Sequence, residues 1–329
     1  MSISKHVLDI DPAAETERII SRLRHTVHHV WHRYGAVVGM SGGVDSSTVA
    51  ALCVRAFGPE RVVAVMMPDK DSDLESERFA RQAAGQLGVE TVLEDVTPAL
   101  EGFGCYSRRD EAIKRVFPEY DPVAGYRAKI VLPHNVLEEG TLNVFSVAIV
   151  TPEGEEKIKR LPTREYLQIV AASNFKQRSR MATLYYHAES RNYAVIGTAN
   201  KNERDQGFIV KYGDGGVDVQ PIAHLYKTQV YLLATYLDVP EAIRRRTPTS
   251  DTYSAHQTQE EFFFRLPFET MDLLWYAKEH QVPVPEVAQA MGLTEIQVQR
   301  AFDDFTRKQC TTEYLRTPPL GVSEMDEAD

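Results

Sequence analysis

The sequence predicts an α/β fold: a doubly wound, mostly parallel sheet with flanking helices, plus an inserted β element and a helical C-terminal region. Three observations predict it. Short apolar runs alternate with segments of helical period in the order strand, helix, strand, helix, strand, an order that calls for parallel pairing. A Gly/Ser-rich loop joins the first strand to its helix, at the strand end where such sheets bind ligands. β-branched stretches cluster in one middle segment, while helical periodicity dominates the last third.

Residues 12–34 read as an amphipathic helix, with Ile19, Ile20, Leu23, Val27 and Val30 at helical spacing. His25, His28, His29 and His32 on it span more than one face and lack a carboxylate set, so a solvated face is expected rather than a metal site. Residues 36–40 form the first strand, and 46–57 a helix ended by Gly58-Pro59. A strand over 61–67 stops at Pro68, a helix over 73–87 is closed by Gly88, and 90–96 is a third strand. Residues 100–165 read as an inserted β-rich segment, with strands over 129–133, 142–151 and 157–161 and a hairpin turn at 152–155. A helix over 165–188, a strand over 193–196 and a helix over 227–237 follow. From Pro240 on the pattern is mainly helical, with an extension at about 265–329 and a frayed acidic tail at 324–329. The chain, 1–329, reads as a single domain.

Bulk properties narrow the function classes. Asp plus Glu outnumber Lys plus Arg, 47 to 37, and a net charge of -10 argues against nucleic acid as a partner. Cys53, Cys105 and Cys310 have no metal-ligand spacing. No apolar run approaches the roughly 18 residues of a membrane helix, so no membrane partner is expected. The N-terminus leads into charged sequence rather than a signal peptide, and a reducing cytoplasm is the expected location.

The loop Ser41-Gly42-Gly43-Val44-Asp45-Ser46-Ser47 carries the first chemical signal. Backbone N–H groups converge at a helix N-terminus, where the dipole favours an anion. Gly42 and Gly43 let the backbone approach phosphate oxygens. Ser41, Ser46 and Ser47 add hydroxyl donors. Asp45 would repel phosphate unless a Mg²⁺ ion lay between them. The run resembles the pyrophosphate loop of the adenine-nucleotide alpha-hydrolase-like ATP pyrophosphatases.

Three further blocks resemble the NAD synthases of that superfamily: Gly197-Thr198-Ala199-Asn200-Lys201-Asn202-Glu203, Lys211-Tyr212-Gly213-Asp214-Gly215-Gly216-Val217-Asp218, and Leu225-Tyr226-Lys227-Thr228-Gln229. Asn174 to Met181 is similar to that family's basic helix, and Arg246-Thr247-Pro248-Thr249-Ser250-Asp251 to its ATP-contacting segment. The resemblance implies an ammonia-dependent ligase. ATP would adenylate the nicotinate carboxylate of deamido-NAD, and ammonia would attack the acyl-adenylate to give NAD and AMP. It implies ATP contacts at Gly39, Met40, Ser41, Gly42, Gly43, Val44, Asp45, Ser46, Ser47, Thr198, Lys227 and Thr249. It implies Mg²⁺ at Asp45 and Glu203, and catalytic roles for Asp45, Glu203 and Lys227. Deamido-NAD would meet Arg178, Lys211, Asp214 and Asp218. A homodimer is implied, with free ammonia as nitrogen donor and room for a separate glutaminase subunit. Tyr314 and Leu315 stand where the family commonly has a His-Lys pair, which keeps open a related ligase that amidates a different carboxylate.

Overall fold

A computed structural model describes residues 4–132, 136–137, 145–249 and 252–321. The expected acidic tail, part of the strand read over 142–151, and Ser250-Asp251 lie outside the described residues. The first half runs α1 (Pro12–Arg24), β1 (Ala36–Gly39), α2 (Val44–Phe57), β2 (Val62–Met66), α3 (Leu74–Leu87), β3 (Glu90–Leu93), α4 (Thr97–Gly102) and α5 (Cys105–Val116). Then come β4 (Arg127–Val131), β5 (Ser146–Val150), β6 (Glu156–Arg160), α6 (Thr163–Glu189) and β7 (Ala194–Ile196). The remainder is α7 (Lys201–Gln206), α8 (Lys227–Tyr236), α9 (Glu241–Arg244), α10 (Phe268–Glu279), α11 (Val284–Met291) and α12 (Glu295–Arg316).

The main sheet has the order β3-β2-β1-β7, and all its pairs are parallel. Val37 of β1 registers with Val63 on one side and Val195 on the other. Alternate side chains go to opposite faces, so period-2 sorting decides the layers. Ala36, Val38, Ala64 and Met66 join Ile20, Leu52 and Leu233 from α1, α2 and α8. Val37, Val63, Val65 and Val195 pack instead with Ala188 and Leu184 of α6. Helices cover both faces, as expected for a doubly wound sheet. Burying each of these valines contributes about 1.5–3 kcal/mol.

Local signals set the helix ends. Pro12 opens α1 behind Asp11, whose carboxylate accepts from the Ala13 and Ala14 amides at 2.9 and 3.2 Å. Asp73 caps α3 in the same way, and Gly88 ends it in the left-handed conformation. The first helix departs from its expected span of 12–34. α-Helical geometry stops at Arg24, and a wider π-turn, His25–Val30, continues to the bend before β1.

The middle segment is only partly β. β4, β5 and β6 form an antiparallel three-stranded sheet, with a turn in which the Thr151 amide donates to the Glu155 carbonyl at 2.9 Å. Residues 97–116, however, are mostly helical, in α4 and α5. The buried residues of α5 are Cys105, Tyr106, Arg109, Ala112 and Ile113. An arginine among them breaks the apolar pattern, so the helix was not legible from periodicity. Ala128, Ile130, Val147 and Ile149 pack on Ile113 and Ile169, which seats the small sheet against α5 and α6.

The C-terminal helices have their own core around Trp275, Phe305 and Met271, joined by Leu8 from the N-terminal end. Phe264 is buried there, while Phe262 packs against the core of the small sheet. The three-phenylalanine run thus bridges the two cores.

Candidate active site

A cavity of about 900 Å³ opens at the carboxyl ends of β1, β2 and β7. Its floor is the loop between β1 and α2. Gly43 caps α2 with no side-chain bond to the first turn, which leaves its amide groups free of a side-chain cap. Gly42 has φ +76°, and a Cβ there would lie 2.3 Å from the Ser76 carbonyl oxygen on α3. The loop is therefore pressed onto α3 by the absence of a side chain. Ser46 and Ser47 turn their hydroxyls back onto the Gly43 carbonyl, at 3.1 and 2.8 Å. They brace the loop in this structure.

Gly39 to Ser41 and Gly43 to Ser46 line the cavity, as do Thr198, Glu203, Asp214, Lys227 and Thr249. Lys227, at the first position of α8 and fully buried, donates from Nζ to the Asp45 carboxylate. Burial works against its charge, but Asp45 and Glu203 hold it above its ordinary value. Asn200 donates from Nδ2 to the other Asp45 oxygen at 3.2 Å. The same residue caps α7 reciprocally with Glu203: its Oδ1 accepts from the Glu203 amide, and Glu203 Oε2 accepts from the Asn200 amide, both at 3.1 Å. Asp45, Asn200, Glu203 and Lys227 thus form one connected group built from three helix N-termini.

Other expected site residues lie elsewhere. Gly42 and Ser47 do not line the cavity, nor do Arg178, Lys211 and Asp218. Asp218 ties its loop to β7, accepting from the Val195 amide at 2.8 Å and from the Tyr185 hydroxyl at 2.9 Å. Lys211 donates to the carbonyls of Tyr314 and Thr317, at 2.8 and 2.9 Å, and so holds the end of α12. Arg178 is exposed and donates to the Lys211 carbonyl at 3.3 Å. Asp214 accepts from the Val210 and Gly215 amides at 2.6 and 3.1 Å, which shapes the Gly-rich turn.

Several residues in or beside the cavity were missed. Asn200 was legible in principle, because Asn-x-x-Glu before a helix is a capping box. Asp69, Lys176 and Arg180 were not, since they meet only through tertiary folding. Lys176 reaches Asp69 at 3.1 Å and Asp71 at 2.8 Å, and Arg180 reaches Asp69 at 2.7 Å. They clamp the loop after β2 to α6. Arg246 similarly bonds Asp73 and Ser76, at 3.1 and 3.0 Å, across the cavity rim.

The sequence profile of the NAD synthase family matches residues 15–119 and 146–319. The chain belongs to the NAD synthase family. A relative from Mesorhizobium japonicum named NH(3)-dependent NAD(+) synthetase is 49% identical over 321 residues, covering 98% of this chain and 100% of its own. Among solved structures, an NMN synthetase from Francisella tularensis aligns with a TM-score of 0.64 at 21% identity, covering 95% of this chain and 99% of its own. An NH3-dependent NAD synthetase from Campylobacter jejuni aligns with a TM-score of 0.61 at 22% identity, covering 95% and 100%. These two structures speak to the fold alone. The profile's two segments flank residues 120–145, which fall within the middle segment.

In this chain, burial and then the charge of Asp45 push Glu203 up to about 8, against the pull of Lys227. The sign follows from linkage. A carboxyl whose folded value exceeds its ordinary 4.5 binds more protons folded than unfolded between those two values. Its contribution is fully present below pH 4.5 and is lost as pH rises through about 8. Glu203→Gln is therefore expected to flatten the fall in thermal stability over that window in the ligand-free, metal-free protein. Thermal melts from pH 5 to 9 check this; parallel curves for the two proteins would refute it.

Proposed function

We propose that this chain makes NAD by ATP-dependent amidation of deamido-NAD, with free ammonia as nitrogen donor. The nicotinate carboxylate oxygen attacks the α-phosphorus of ATP and pyrophosphate leaves. Ammonia then attacks the acyl carbon, AMP leaves, and the nitrogen loses a proton. The observation that carries the reading is the full-length likeness to a named NH(3)-dependent NAD(+) synthetase at 49% identity. The connected group of Asp45, Asn200, Glu203 and Lys227 supports it. The alternative, amidation of another carboxylate, is not favoured by that relative.

The residues divide the work. The uncapped amides at the start of α2 receive phosphate oxygens, with Ser41 beside them. Lys227 places a full positive charge where charge develops on the leaving pyrophosphate. Thr198 and Thr249 offer hydroxyls on the cavity wall. Asp45 and Glu203 would hold Mg²⁺. Among the described residues no cluster of three or more His, Cys, Asp or Glu side chains could hold a metal alone. Two carboxylates with phosphate and water completing the shell suit Mg²⁺, which keeps several waters. When bound, the ion supplies neutralisation of phosphate charge.

The exposed position of Arg178 outside the cavity supports a homodimer in which a second subunit completes the deamido-NAD site with Arg178, Lys211, Asp214 and Asp218. Exposed Leu167 and Tyr186 on the same helix give that contact an apolar component. Sedimentation at the mass of two chains would support the dimer, and a single chain would reject it. No helix among the described residues is long and apolar enough to cross a membrane. A cytoplasmic location accords with the expected reducing environment.

The test is incubation with ATP, Mg²⁺, ammonium and deamido-NAD, with Asp45→Ala as control. NAD formed in step with AMP, and lost in the control, upholds the reading. Pyrophosphate released only with another carboxylic acid would discard the acceptor and keep the activation chemistry.

A further inference from the structure

Asp272 lies outside every block that points to the reaction, yet its side chain meets two of them. It sits on α10, is 0% exposed, and shares that helix with Met271, Leu274 and Trp275 of the C-terminal core. One carboxylate oxygen accepts from Nδ2 of Asn202, the residue before Glu203. The other accepts from the backbone N–H of Thr228 at 2.8 Å, the residue after Lys227. Asn202 is itself 0% exposed. The carboxylate therefore joins the first turns of α7 and α8 from a third element.

Burying a carboxylate is costly unless its lone pairs are satisfied. Here both oxygens find donors, and the N-terminus of α8 adds a favourable dipole. Burial pushes Asp272 above the usual carboxylate range, while the bonds from Asn202 and Thr228 and the nearby Lys227 charge pull it back. The Thr228 N–H is one of the donors that a helix start leaves unpaired. A capping side chain normally comes from the adjacent loop. This one comes from 44 residues downstream, so it fixes the helix against another layer.

We propose that Asp272 is a positioning residue for the amidation reaction, holding Glu203 and Lys227 in register by bonding their neighbours on two helices. The proposal rests on the reading of Glu203 and Lys227 given above. Lys227 reaches Asp45 across the cavity, and Glu203 reaches Asn200, which also bonds Asp45. A small rotation of α7 against α8 alters all of these contacts together. A displacement of about 1 Å from the reactive geometry costs on the order of 100-fold in rate. Asp272 touches no cavity surface, so its loss acts on geometry and not on substrate contact.

The experiment compares Asp272→Ala, Asp272→Asn and Asn202→Ala in the full chain, reading kcat and the KM for ATP and for deamido-NAD. Asp272→Ala is expected to lower kcat about 100-fold, with both KM values moving less than about 3-fold. Asp272→Asn keeps one acceptor for the Thr228 N–H. Asn202 Oδ1, which has no hydrogen-bond partner among the described residues, can accept from the new amide if Asn202 flips. That variant is expected to recover most of the rate. Asn202→Ala cuts only the tie to α7 and is expected to lower kcat about 10-fold, intermediate between the two. It keeps the proposal testable if Asp272→Ala does not fold. Wild-type kcat in folded Asp272→Ala, or in Asn202→Ala, overturns the proposal. Equal losses in kcat for Asp272→Asn and Asp272→Ala also overturn it. If Asp45→Ala retains activity, the reading of the site fails instead, independently of Asp272.

Discussion

Lys227→Ala is expected to lower kcat about 10³-fold, the upper range for removing one preorganised charged or hydrogen-bonding group from a transition state. Lys227 is fully buried and its Nζ bonds Asp45, so its position is fixed before any nucleotide arrives. No cation sits in the loop Ser41 to Ser47, which makes Lys227 the charge delivered to that loop from α8. Stability is expected to fall as well, by about 3 kcal/mol, the low end for breaking a buried pair. Lys227→Arg is expected to restore little, because a planar fork does not fit where a compact ammonium sits. Single-turnover adenylation with labelled ATP, alongside a thermal melt, separates the two effects. A folded Lys227→Ala protein that forms adenylate within tenfold of the wild-type rate would remove Lys227 from the chemistry.

Gly42→Ala is expected to abolish measurable ATP binding and to destabilise the protein. Two costs add. The left-handed backbone, φ +76°, costs an alanine about 1–2 kcal/mol. The new methyl also falls 2.3 Å from the Ser76 carbonyl oxygen and 3.0 Å from Phe79, so the loop must lift off α3. Backbone groups cannot yield as the end of a long side chain can. Lifting the loop moves the amides at the start of α2, and a shift of about 1 Å there costs on the order of 100-fold. Gly43→Ala is the internal comparison. A Cβ at Gly43 meets only the Ser41 hydroxyl at 3.3 Å, and φ is -89°. Calorimetric titration with ATP checks both. Equal affinities for the two variants would show that the contact with α3 does not matter.

Where the physics is local, the sequence reads well. β1, α2, β2 and α3 fall within a few residues of expectation, because valine runs, the Asp73 cap and Gly88 each act over one turn. The hairpin between β5 and β6 was legible for the same reason. The helix α5 was not, since Arg109 is buried with Asp71, which arrives from the loop after β2 to pair with it at 2.5 Å, while its neighbour Asp110 pairs at 2.9 Å. The site divides in the same manner. Asp45, Glu203 and Lys227 stand within motifs, and the fold does bring them together. The clamp of Asp69, Lys176 and Arg180, and the tie made by Asp272, join residues far apart in the chain whose types alone carry no signal.

The sheet order has a consequence for synthesis. β1 is central, yet its partner on one side, β7, is encoded more than 150 residues later, with Val37 registering against Val195. At about 5–20 residues per second, the ribosome takes on the order of ten seconds or more to supply that edge. Until then β1, β2 and β3 present an unpaired valine-rich edge, the kind that templates aggregation. Lys227 is made later still, so the nascent chain carries a half-built sheet well before it can carry a reaction.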